Sequence, residues 1–185
     1  MEGVRSIASF VLVVCLAATF AGCGGAGVLS PTTASVGKAH AIRSRACERN
    51  PHDGVHGPDR LRVLSPCVAF EGTVIQAPGK KAPDGDVSFI VKADPGYRNM
   101  LNARNRREGG LHIEIVPRDQ PGCKRGQPVH FGDIPGLGTC SGRDVVSPRR
   151  GAHVRIIGPW VLDRNNNWYE IHPAWSIKPV PRSAG

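Results

Sequence analysis

The chain has 185 residues, with 24 Lys+Arg against 15 Asp+Glu, a net charge of +9, 23 Gly, 16 Pro and 6 Cys. That length suits one globular domain with an extension, and so much Gly and Pro excludes a helical bundle, a coiled coil or a helical solenoid, because both residues interrupt helices. Charged residues at 21% and hydrophobic ones at 40% exclude wholesale disorder.

Residues 1–22 have the pattern of an export signal. Arg5 precedes an apolar run from Ile7 to Phe20. The run is too short and too rich in Ala for a membrane span, which needs ~20 strongly apolar residues. It ends in Phe20-Ala21-Gly22-Cys23. This segment resembles the lipobox of bacterial lipoproteins, with Phe20 where that motif usually carries an aliphatic residue. The resemblance implies cleavage before Cys23 and a diacylglyceryl thioether on its sulfur. The protein would then be lipid-anchored at the extracytoplasmic face of a bacterial cell membrane, each buried lipid CH₂ contributing ~0.8 kcal/mol. Residues 23–46 read as the lipidated cysteine followed by a flexible tether, small and polar without apolar period.

Cys15 leaves with the signal, so four cysteines remain besides Cys23: Cys47, Cys67, Cys123 and Cys140. An even number in an exported chain points to disulfides, with three possible pairings. Cys47–Cys67 with Cys123–Cys140 is favoured, because each pair brackets a Gly/Pro-rich stretch with little core of its own. The rival is a metal site from Cys47, His52, His56 and Cys67. No Cys-x-x-Cys occurs, and Pro51, Gly54, Gly57 and Pro58 oppose a helical His pair.

The domain is expected over residues 47–177. Arg60–Leu64 is a helical turn or an edge segment. Cys67–Gln76, β-branched and aromatic, predicts a strand bent at Gly72. Ala77–Gly85 reads as a hairpin loop and Asp86–Ala93 as the returning strand, with Val87, Phe89 and Val91 on one face. Asp94-Pro95 predicts a capped short helix, stopped by Gly109-Gly110. Leu111–Val116 alternates as a half-buried strand: Leu111, Ile113 and Ile115 on one side, His112, Glu114 and Val116 on the other. Residues 117–151, with five Pro and seven Gly, read as loop. Ala152–Ile157 is a strand that Gly158-Pro159 kinks and Trp160–Leu162 continues. Asp163–Asn167 is a turn and Trp168–His172 the last strand. Residues 178–185 read as a disordered tail. Five strands with a bent first one predict a small, closed, mainly β barrel of the oligonucleotide/oligosaccharide-binding (OB) type with one short helix.

Three stretches carry a likeness: Leu61–Cys67 with Gly72-Thr73-Val74, Asp84–Phe89, and Gly158–Asp163 with Trp168–Pro173. They are similar to a family of uncharacterised bacterial secreted proteins and lipoproteins with an OB-like barrel. The likeness covers about residues 47–177 and implies the fold, but no reaction. Many relatives carry His-Gly in the turn before Trp168, where this chain has Asn166-Asn167. A weaker likeness is to staphylococcal-nuclease-type OB domains, whose hairpin supplies a calcium-binding Asp. Asp86 matches that position. Glu114–Asp119 departs from the Asp-x-Pro-Glu order of those domains, and their two catalytic Arg have no counterpart.

Candidate sites follow from alternation. Asp84-Gly85-Asp86 is a turn signal, with a divalent cation at Asp86 as the alternative. Glu170 and His172 share one face of the last strand, as do His112 and Glu114 on the third. If those strands adjoin, they form an acid/base or metal cluster; otherwise Glu170 and His172 fasten loops. No Gly-x-Ser-x-Gly and no phosphate loop occurs. Basic surface is expected at Arg104, Arg106, Arg107, Arg149 and Arg150. These residues invite anionic lipid or wall polymer at a cell envelope. Nucleic acid is an alternative, with Tyr97, Trp160, Trp168 or Tyr169 as stacking platforms. The reading that emerges is a monomeric cell-envelope lipoprotein acting as a binding or scaffold module, without cofactor. The competing reading is a metal-assisted, nuclease-like hydrolase using Asp86, Glu114, Glu170 and His172.

Overall fold

The computed structural model describes residues 40–48, 50–79 and 82–182. The export signal, Cys23, the tether up to residue 39, Arg49, Lys80 and Lys81 and the last three residues lie outside the described residues. The strands are β1 (Leu61–Gln76), β2 (Val87–Ala93), β3 (Leu111–Ile115), β4 (His153–Asp163), β5 (Trp168–Ile171) and β6 (Ser176–Pro179). The helix α1 spans Ala103–Glu108, and 3₁₀ turns occupy Pro58–Arg60, Pro95–Met100 and Pro117–Asp119.

The hydrogen-bonded order is β1-β2-β3-β5-β4, and β4 pairs back onto β1, so five strands close into the OB-like barrel that the sequence predicts. β3 and β5 run parallel and every other pair is antiparallel. Alternation fills the interior: Val68, Phe70 and Val74 of β1 meet Phe89 and Val91, then Leu111, Ile113 and Ile115, then Ile156, Trp160 and Ile171. The same alternation turns Ser88, Glu114 and Glu170 outward. Outside the barrel, Val55 and Leu61 pack on Val116 and Val161 as a second apolar cluster. Through Val55 the irregular segment before β1 therefore packs beside the end of β3 and against β4.

Several boundaries differ from the sequence expectation, each for a physical reason. β1 begins at Leu61, not Cys67, and runs through Pro66. Between the pairs Ser65↔Trp160 and Val68↔Gly158 the register shifts, so Pro66 and Cys67 face Pro159 alone. Both prolines thus sit in one bulge, where a missing N–H interrupts no ladder bond. Asp94 stands at the N-cap position with Pro95 next, as expected, but its side chain makes no cap bond, because its carboxylate pairs with His153 Nε2 at 2.8 Å. A 3₁₀ turn follows instead, and α1 starts later, where Asn102 and Asn105 form a reciprocal capping box.

The domain is also wider than 47–177. The N-terminal segment lies on β1, Ala69 N–H donating to His40 O and Ile42 N–H to Cys67 O. Lys178 and Pro179 belong to β6, which pairs with β4 at Arg155 and Val154. β5 covers only the second half of that β4 edge, and β6 satisfies the rest. Both expected disulfides are present, Cys47–Cys67 and Cys123–Cys140. Loops of that size contribute ~3 kcal/mol each on the chain-entropy estimate. Because Cys47 and Cys67 bond to each other, they are not ligands of the four-residue metal site with His52 and His56.

Candidate functional site

The parallel pairing His112↔Glu170 brings the outer residues of β3 and β5 side by side. Asp86 enters from the end of the hairpin loop, and His172 sits just past β5. All four residues of the hydrolase alternative converge. His172 Nδ1 faces Glu114 Oε2 at 2.9 Å and Glu170 Oε1 at 3.0 Å, and His172 Nε2 faces Asp86 Oδ2 at 3.1 Å. Asp86, Glu170 and His172 are almost completely buried, at 1%, 0% and 0% exposure.

The surroundings hold the carboxylates in place. Trp168 Nε1–H donates to Glu170 Oε2 at 2.9 Å, and Ser88 O–H donates to Glu114 Oε1 at 3.3 Å. Arg60, carried in by the 3₁₀ turn before β1, lies 3.8 Å from Glu170 Oε1 and 3.3 Å from Asp163 Oδ2. Asp163 also accepts from the backbone N–H of Asn165 and Asn166, which builds the β4–β5 turn.

Burial pushes the Asp86 carboxyl up, to about 6, against the pull of His172. Burial would raise Glu114 too. There the positive charge of His172 and its hydrogen bond prevail, with help from Arg60 and Ser88, and hold Glu114 at about 2. Burial would lower His172, but Glu114, Asp86 and Glu170 around the ring raise it well above its ordinary value. The arrangement is a buried imidazolium caged by three carboxylates. Asp86, Glu114 and His172 do have the residue types and spacing of a cation site, their ligand atoms lying within 4.8 Å of one another. Both ring nitrogens already face carboxylates, so a cation at Asp86 would have to displace one of those contacts.

His112 does not join the cluster. Its ring stacks on Trp168 with centroids 3.8 Å apart, and its Nε2 pairs with Glu108 of α1. Asn105 fixes α1 beside β5: Tyr169 N–H donates to its side-chain oxygen and its amide donates to Tyr169 O.

The open clefts are lined by other residues. One, of about 650 Å³, lies along the outer face of β1 and β2 and is lined by Glu71, Thr73, Ile75, Lys92, Tyr97 and His153, among others. Here Glu71 pairs with Arg155 at 2.6 Å and Asp94 with His153. Lys92 also lines a second cleft of about 280 Å³, with Arg98, Leu101 and Arg106. A third, of about 580 Å³, is edged by Arg45, Arg118, Arg125 and Arg143 beside the Cys123–Cys140 bridge.

All five basic residues expected at the surface, Arg104, Arg106, Arg107, Arg149 and Arg150, are exposed, Arg104 while pairing with Glu108 at 2.6 Å. Trp160 is buried in the core at 1% exposure, so it offers no stacking platform. Tyr97 is half-buried and already carries the His40 ring. Arg60 and Lys92 were not picked out from the sequence, and Trp168, expected as a stacking platform, instead donates to Glu170. Arg60 is far along the chain from its partners, and Lys92 carries no motif beyond outward parity on β2.

No protein-family model, curated protein or solved structure matches the chain. Its role is therefore argued from these residues alone.

Proposed function

We propose that the protein is a lipid-anchored binding module at the extracytoplasmic face of a bacterial membrane, engaging anionic partners through its basic surface. The observation that carries this reading is a division of labour between two regions. Of the acid/base residues, Asp86, Glu170 and His172 are buried and only the Glu114 side chain, 13% exposed, reaches the surface, and all four are engaged with one another. Two of the three open clefts have basic edges, one with Lys92, Arg98 and Arg106, the other with Arg45 and Arg125 beside Arg118 and Arg143, which pair with Asp53 and Glu48. A hydrolase needs a general acid or base within reach of its substrate. Three carboxylates, two of them buried, around an imidazolium instead hold the hairpin loop, β3, β5 and the turn before β1 together.

The reading is tested by separating binding from turnover in one pair of proteins. Wild type and Glu114→Gln are compared for salt-dependent association with anionic vesicles and for hydrolysis of a phosphodiester with calcium, zinc or manganese. The expected outcome is equal vesicle binding, a lowered melting temperature for the variant, and no turnover by either protein. Metal-dependent hydrolysis by wild type that disappears in Glu114→Gln would establish the enzyme reading instead.

A further inference from the structure

The segment from β2 through α1 carries an excess of charge that is not neutralised. Lys92, Arg98 and Arg106 line one small groove together, all three exposed and none in an ion pair among the described residues. The acids nearest in sequence are committed elsewhere, Asp94 to His153 and Glu108 to Arg104 and His112. No carboxylate lines the groove, whose walls are Ala93, Leu101 and Gly109. Three like charges around a slightly apolar slot repel one another until an anion enters, which is the arrangement a phosphate group relieves.

Where the chain enters the domain indicates the source of that phosphate. His40 is the first described residue; its ring lies on Tyr97 with centroids 4.3 Å apart, and its Nε2 is 2.9 Å from Gly96 O. The tether therefore meets the barrel at the same 3₁₀ turn that carries Arg98. A segment as long as that from Cys23 to His40 spans at most ~60 Å even fully extended. An anchored domain on such a lead stays within reach of the bilayer at high effective concentration.

We infer that Lys92, Arg98 and Arg106 form a docking groove for the phosphate headgroups of anionic phospholipids in the membrane to which the chain is tethered. The inference rests on the envelope reading for its membrane and adds the face that meets it. Arg149 and Arg150, at the turn before β4, line no part of this groove and serve as the internal control.

The test uses the full chain with Cys23→Ser, which removes the lipid site. Association is measured by cosedimentation with mixed phosphatidylglycerol/phosphatidylcholine vesicles and with pure phosphatidylcholine vesicles. The difference between the two isolates the charge-dependent part from any apolar contribution of the N-terminal segment. Each cation near an anionic surface is worth about fivefold in affinity, the equivalent of ~1 kcal/mol. The triple variant Lys92→Ala/Arg98→Ala/Arg106→Ala should therefore lose about a hundredfold of the anion-dependent binding. Arg149→Ala/Arg150→Ala has a smaller effect than the triple variant, because those side chains lie outside the groove. Circular dichroism and the melting temperature of the triple variant confirm that it is folded; all three side chains are exposed, so no more than small changes are expected.

Unchanged binding in the folded triple variant overturns the groove. So does a Arg149/Arg150 loss as large as that of the triple variant, or a preference for soluble polyphosphate or DNA over vesicles. The anchor is tested separately, by the intact mass of the wild-type chain extracted from membranes. An unlipidated Cys23 with groove-dependent vesicle binding rejects the anchor and keeps the groove, whereas a lipidated Cys23 with a silent triple variant does the reverse.

Discussion

The caged imidazolium makes stability depend on pH through three groups whose signs differ. Glu114 is held at about 2 rather than 4.5. Its contribution is complete above about 4.5 and is lost as pH falls toward 2. Asp86 is raised from 3.8 to about 6. Folding thus favours its protonated form, and stability falls as pH rises through that interval. His172 is raised well above 6.5, so its contribution is complete below 6.5 and is lost only as pH climbs through its higher folded-state value. Urea unfolding measured from pH 2 to 8 should show these limbs selectively. Glu114→Gln is expected to flatten the loss between about 4.5 and 2, and Asp86→Asn the decline between about 4 and 6. Glu114→Gln also removes an ionised partner from the buried His172 and should cost ~3–5 kcal/mol near neutral pH, whereas Asp86→Asn replaces a carboxyl that folding prefers protonated and should cost less. An acid limb in Glu114→Gln as steep as in wild type would contradict an ionised Glu114 beside a protonated His172.

Among the elements, β4 shows how closely the backbone must approach to place the cluster. Gly158 faces the bend after β5, and a Cβ there would sit 2.3 Å from Pro173 O and 2.5 Å from Ile171 Cγ2. Gly158→Ala should therefore push the residues bearing His172 off β4, with a loss of ~1–3 kcal/mol and a shifted His172 ring signal by NMR. Gly79→Ala, with nothing within 4 Å of its added methyl, should stay within about 0.5 kcal/mol of wild type. A Gly158→Ala protein as stable as Gly79→Ala would show that β4 and the bend are not packed this tightly. What the sequence could and could not reveal divides along similar lines. Period-two alternation located Leu111–Ile115 and turned Glu114 and Glu170 to the outside, and Asp163–Asn167 was readable as a turn from its side-chain chemistry. β1 escaped recognition before Cys67 because Pro66 argues against a strand unless a bulge receives it. β6 escaped because it exists only to complete the free part of the β4 edge. Arg60 escaped because the segment that carries it has no period, and its partners lie on β4 and β5.

For the whole molecule, the question is what holds both ends of the chain against a barrel that closes without them. Arg143 does much of this from the long loop between β3 and β4. Its Nη1 donates to Ala46 O at 2.9 Å and to Trp175 O at 3.3 Å, its Nη2 pairs with Glu48, and its Nε lies 3.7 Å from Asp119 Oδ1. One guanidinium thus joins the N-terminal segment, the loop stapled by Cys123–Cys140 and the approach to β6. Five fixed donors in one plane allow this, and an ammonium has no equivalent geometry. Arg143→Ala should destabilise the protein by about 3 kcal/mol, because two backbone carbonyls lose a donor, Glu48 loses its ion pair and Asp119 is left with the Ser141 hydroxyl. Hydrogen exchange should rise together around residues 46–48, 141–145 and 175–179, regions far apart in sequence. Arg143→Lys should recover only part of the protection, since one ammonium does not reach all four acceptors. Faster exchange confined to 141–145 in Arg143→Ala would mean that the two ends are held independently, by the Cys47–Cys67 bridge and the β4–β6 pairing alone.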